Sequence, residues 1–183
     1  MSQSIVITDR TKAVLTSLEG LSKAVVLVGI PEANGARKDD DQGPVSNAQL
    51  GYIHEFGSPA ANIPARPFLI PGVESAQARF TPHLRNAATA ALEGDPGRMR
   101  ASLHTAGAIA RDEVKLTLNT AGYEPLKDST LRARARRAGS SIAAAAQREL
   151  DSRAEGNPPS DEVRPLVETG QMRNAITYVV TNR

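Results

Sequence analysis

The chain has 183 residues, a net charge of +2, no cysteine, no tryptophan and only three each of Phe and Tyr. That composition excludes disulfides, thiolate metal sites and cysteine nucleophiles, and it leaves too few aromatic faces to stack single-stranded nucleic acid. So small a charge implies no nucleic-acid partner by itself. With no secretory signal and no run of ~18 apolar residues, a soluble protein made in the cytoplasm is expected.

In chain order, residues 10–21 carry Ala13, Val14, Leu15 and Leu18 at helical spacing and stop near Gly20. Lys23–Pro31 is continuous and β-branched, which predicts a buried strand. Residues 32–45 form a polar loop with three consecutive aspartates, Asp39–Asp41. They read either as a cation site or as a solvated loop tip beside Arg37 and Lys38. The alternating acids and distal Glu of a calcium loop are missing. Residues 47–56 predict a helix in which Ala48, Tyr52 and Phe56 fall four apart, with Ile53 beside them. Ser46 or Asn47 is the N-cap, and Gly57-Ser58-Pro59 is the stop. Pro59, Pro64, Pro67 and Pro71 then pace an extended strap that carries Ile63, Phe68, Leu69 and Ile70.

Residues 72–93 predict a long helix kinked at Pro82. A break at Gly94–Gly97 leads to a second helix over 97–120, with Gly122 as its stop. So short a connection makes the two an antiparallel hairpin. Residues 125–137 form a basic helix: Arg132 and Arg136 share one face, while Arg134 and Arg137 lie near the other. These arginines read as DNA-phosphate contacts, as partners of carboxylates on neighbouring subunits, or as a solvent-facing surface. An alanine-rich helix (138–151) and a Gly/Pro/acid loop (152–165) follow, and residues 138–160 read as a mobile or subunit-specific insertion. Thr169 caps a short helix over 171–175, and Ala175–Thr181 alternates as a strand that pairs with residues 23–30. The expected fold is therefore α+β, in a single domain over residues 1–183. A small antiparallel β-sheet is packed by a long helical hairpin, with a proline-rich strap across it.

The chemistry is sparse. His54-Glu55 lacks the second histidine of a zinc-protease helix, because Ser58 stands there. His83 and His104 are not at metal-ligand spacing from each other. There is no Gly-x-Ser-x-Gly elbow and no phosphate loop with its Lys. No catalytic, metal or cofactor residues are assigned, and a binding or structural role is expected. Arg66, fixed between Ala65 and Pro67, is preorganised for a bidentate carboxylate contact. With Phe68 beside it, the pair has the composition of an interface anchor. The alternative is that Phe68 and Leu69 pack into their own subunit while Arg66 faces water.

Two separated stretches carry a resemblance. Tyr52–Pro59 with Asn62–Val73 (YIHEFGSP…NIPARPFLIPGV) and Pro165–Tyr178 (PLVETGQMRNAITY) resemble the signatures of tailed-phage neck and tail-completion proteins, the virion morphogenesis or minor tail family. Glu168 and Met172 replace that pattern's usual aspartate and leucine. The resemblance implies a virion protein of the phage neck that completes the tail and joins heads to it. It implies a homo-oligomeric ring, a hexamer or dodecamer, between the head connector and the tail tube. Its partners would be the connector, tail terminator or tail tube proteins, with DNA passing through the lumen. His54, Glu55, Phe56, Arg66, Pro67, Phe68 and Leu69 would form the interface, and Arg132, Arg134, Arg136 and Arg137 would face DNA or the lumen. Two rivals are a DNA-binding accessory protein, from the same arginines and the basic isoelectric point, and a peptidoglycan hydrolase, which would need a carboxylate pair in a cleft.

Overall fold

A computed structural model describes residues 9–32, 45–136, 141–160, 162–166 and 170–183. Asp39–Asp41, Arg137 and Thr169 lie outside the described residues. The elements are α1 (Thr11–Lys23), β1 (Ala24–Gly29), α2 (Asn47–Phe56), a 3-10 turn (Pro59–Ala61), α3 (Leu69–Leu92), α4 (Pro96–Thr120), α5 (Asp128–Ala135), α6 (Ser141–Ala154), α7 (Gln171–Ala175) and β2 (Thr177–Asn182). They group into two compact units: Met1–Gly29, Leu69–Lys115 and Ile176–Arg183 in one, Ile30–Phe68 and Leu116–Ala175 in the other.

In the first unit β1 and β2 pair antiparallel from Ala24↔Asn182 to Gly29↔Thr177, the pairing expected of the two apolar strands, although β1 is only half-buried rather than the buried strand its continuous run suggests. The class expectation is corrected. The protein is mostly helical, and among the described residues its sheet is a two-stranded open ribbon. Two strands have no interior member and bury little by themselves. Leu27 and Val179 turn to solvent. The core is made instead by helix residues, Ala87, Ala90 and Ala91 with Met99 and Leu103, onto which Leu18, Leu21, Val26 and Val180 pack. A sheet covered by a helical hairpin is thus not the architecture. Small residues allow close helix contact. A Cβ at Gly72 would stand 2.7 Å from Val114 Cα, and the Arg79–Glu113 ion pair (2.7 Å) spans the same two helices, α3 and α4. Asp95 caps α4 through the Arg98 N–H (2.9 Å).

The second unit holds α2, α5, α6 and α7. Leu126, Leu131, Ala146 and Val163 form its apolar cluster. Glu149 is buried here and is held by the Ser160 N–H and hydroxyl and by Arg153 Nε (2.8 Å). Arg153 Nη1 also donates to Leu126 O (2.8 Å) and Asp128 (3.0 Å), tying α6 to the start of α5.

The extended strap is also corrected. Pro59 opens the 3-10 turn, Asn62 takes a left-handed conformation (φ 53°), and Ser58 and Ile63 close a two-way backbone bridge. Proline suits the first position of such a turn because its missing N–H has no partner there anyway. For the same reason Pro71 sits in the first turn of α3 rather than ending a strap.

Candidate functional site

The site is built on α2, within the second unit. Ser46 accepts the Gln49 N–H and Gln49 answers the Ser46 N–H, a complete capping box. The helix ends at Gly57 (φ 77°), where a Cβ would stand 2.9 Å from Ala65 N, so the chain doubles back closely at this point. The returning segment is fastened twice. The Arg66 N–H donates to His54 O (2.6 Å), and the Phe68 N–H donates to the Glu55 carboxylate (2.8 Å). The His54–Glu55 and Arg66–Phe68 motifs, separate in sequence, are therefore bonded to each other.

This bonding decides which face of α2 turns inward. Asn47, Gly51 and Glu55 are buried. Gly51 lies against Ile30 and the Phe68 ring, since a Cβ there would meet Ile30 Cδ1 at 2.9 Å and Phe68 Cζ at 3.8 Å. Phe68 is 1% exposed and belongs to the core. The apolar stripe faces outward: Tyr52 is 68% and Phe56 57% exposed, with ring centroids 4.8 Å apart. Of the residues proposed for an interface, Phe56 and Pro67 are exposed, His54 and Leu69 are half-buried, and Glu55, Arg66 and Phe68 are interior. Sequence spacing singled out the Tyr52–Phe56 stripe without revealing that it faces solvent.

On the inner side of α2 lies a cleft of about 310 Å³, lined by Asn47, Leu50 and His54 of α2 together with Arg66, Glu124 and Lys127. Arg66 is 8% exposed. Its Nη2 makes a 3.4 Å bond to Glu124 O, while Nε has no partner. Burial pulls the Arg66 pKa down, opposed by the charges of Glu124 and Tyr123. Burial, with the Arg66 charge adding to it, pulls His54 down to about 4, so the imidazole is neutral near pH 7. Its Nδ1 has no partner, nor has Asn47 Oδ1. Tyr123 is pushed up to about 12 by burial and then by Glu55.

The three described arginines of the basic stretch separate. Arg132 and Arg136 are exposed, while Arg134 is buried and donates to Arg164 O (3.2 Å). Among the described residues no three His, Asp or Glu come together as a metal site, and no helix is long and apolar enough to cross a membrane. His104 stands edge-on to Tyr178 (5.8 Å). Asn47 drew notice in sequence only as a helix cap, and Glu124 and Lys127 not at all, because nothing local marks a residue that lines a cleft.

No family model, curated protein or solved structure matches the chain. The phage, virion, neck and tail designations that the two motifs suggested thus find no counterpart, and as descriptions of this protein they are withdrawn.

Proposed function

We propose that the protein acts structurally, as a joining subunit that associates with copies of itself. One observation carries this reading: α2 is turned so that its aromatic stripe, Tyr52 and Phe56, faces solvent while Asn47 and Glu55 are interior. A contiguous exposed aromatic pair marks an interaction surface. An aromatic side chain buries roughly 150–250 Å² in full, and Tyr52 and Phe56 each keep more than half of their surface free for docking. A second copy is taken as the partner because every copy of the chain presents the same exposed aromatic pair.

Sedimentation velocity on the full chain tests the proposal. The wild type is expected to sediment as an oligomer, and Tyr52→Ser/Phe56→Ser as a folded monomer with an unchanged circular-dichroism spectrum. A monomeric wild type, or a variant that still associates, would overturn it. Salt-sensitive binding of duplex DNA, lost in Arg132→Ala/Arg136→Ala, would favour the DNA-binding rival instead.

A further inference from the structure

A buried guanidinium is expensive unless a counter-charge lies close by. Arg66 is buried, yet its one side-chain hydrogen bond among the described residues is to the Glu124 backbone carbonyl at 3.4 Å, and its Nε has no partner. The residue lines an open cleft rather than a sealed interior. A second cation, the exposed Lys127, stands in the same lining, with Nζ only 3.5 Å from Asn62 O. The cleft therefore offers positive charge that nothing among the described residues neutralises at ion-pair distance, apart from the more distant influence of Glu124.

Two further atoms are orphaned in the same lining, Asn47 Oδ1 and His54 Nδ1. Asn47 and His54 lie seven positions apart on α2, or about 10 Å along the axis at 1.5 Å per residue. That is the length of about three residues of extended chain. Asn47 Oδ1 is an acceptor, and the neutral imidazole can present its Nδ1 as one. A single small anion such as acetate or phosphate is too short to reach both atoms across that separation. An extended peptide has backbone N–H groups to give, and an acidic side chain on it brings the missing negative charge.

We propose that this cleft binds a short extended peptide segment carrying a carboxylate side chain. Arg66 takes the carboxylate in a charge-assisted contact, and Lys127 supports it from the rim. Asn47 and His54 receive peptide N–H groups. This site is independent of the self-association proposed above, because Tyr52 and Phe56 lie on the opposite, exposed face of α2.

The probe is a capped pentapeptide with aspartate at its centre, titrated into the full chain and followed by calorimetry and by the Arg66 Nε–H resonance. The expected result is saturable binding with a shift of that resonance. A counterpart with asparagine at the centre should bind at least roughly tenfold more weakly, the loss of a charge-assisted contact. Arg66→Gln should abolish binding, and Lys127→Ala, an exposed position, should weaken it severalfold without altering the fold. Tyr52→Ser/Phe56→Ser should bind as the wild type does. Failure of the aspartate peptide to bind, or equal binding of its asparagine counterpart, would overturn the proposal. So would acetate or inorganic phosphate shifting the Arg66 resonance at the same concentrations. If Glu168→Gln moves the resonance in the free protein, the counter-ion belongs to the chain itself and the proposal fails.

Discussion

Glu55 and Phe68 are joined across thirteen residues: the buried Glu55 carboxylate accepts the Phe68 N–H at 2.8 Å. The bond fixes the chain as it leaves the 3-10 turn, and it holds the Phe68 ring over Gly51. Glu55→Ala would leave that N–H buried without this acceptor. A loss of about 1–3 kcal/mol is expected, measured by urea unfolding, with Glu55→Gln milder because its amide oxygen can still accept.

Phe68→Ala should destabilise the monomer by about 3–5 kcal/mol, the range for removing a fully buried phenylalanine. At a concentration low enough for both proteins to be monomeric, the same measurement on Tyr52→Ser/Phe56→Ser should show little change. The contrast separates a core aromatic from two surface aromatics in neighbouring parts of one motif. Equal losses for both variants would mean that the stripe on α2 is not free.

Acid should weaken the protein in two windows. His54 has a folded pKa of about 4 against an ordinary value of 6.5. The unfolded chain therefore binds more protons between those values, and stability falls as pH drops from about 6.5 towards 4. For Glu149, burial raises the pKa, but the hydrogen bonds from Ser160 and Arg153 outweigh it and leave the group below its ordinary 4.5. Its contribution is present above that value and is lost as pH falls further. Urea midpoints measured down the pH scale should show both limbs. His54→Gln should remove only the upper one.

Gly107 lies under the Tyr178 ring: a Cβ there would be 2.4 Å from Tyr178 Cδ2 and 3.0 Å from Val26 Cγ1. The ring is also flanked by His104 and by the Arg111 guanidinium, 5.5 Å from its centroid. Gly107→Ala should displace Tyr178 from this position at a cost of about 1–3 kcal/mol, the overpacking range. A shifted tyrosine fluorescence alongside the lower unfolding midpoint would check it.

Local signals were legible from the sequence. The cap at Ser46 or Asn47, the stop at Gly57, the long helical periods, the continuous β-branched run and the alternating C-terminal strand all rest on interactions within a few residues, and each corresponds to an observed element. The antiparallel pairing of the strands also followed, because no other β-branched runs compete for partners. The fold class did not follow. Two strands were weighed as a sheet, whereas the alanines of α3 and residues of α4 build the core.

What the sequence determined by itself was where helix and strand form, because caps, prolines and periodicity act along the chain. Only the tertiary structure decided which face of α2 is inside. Periodicity draws a stripe through Ala48, Tyr52 and Phe56, but burial depends on what lies opposite. Opposite the other face lie the Phe68 ring, which fits against Gly51, and the Phe68 N–H, which needs the Glu55 carboxylate. Those partners come from residues that α2 meets only after the chain has turned back at Gly57, so polar Asn47 and Glu55 are interior and the aromatic pair is left in solvent.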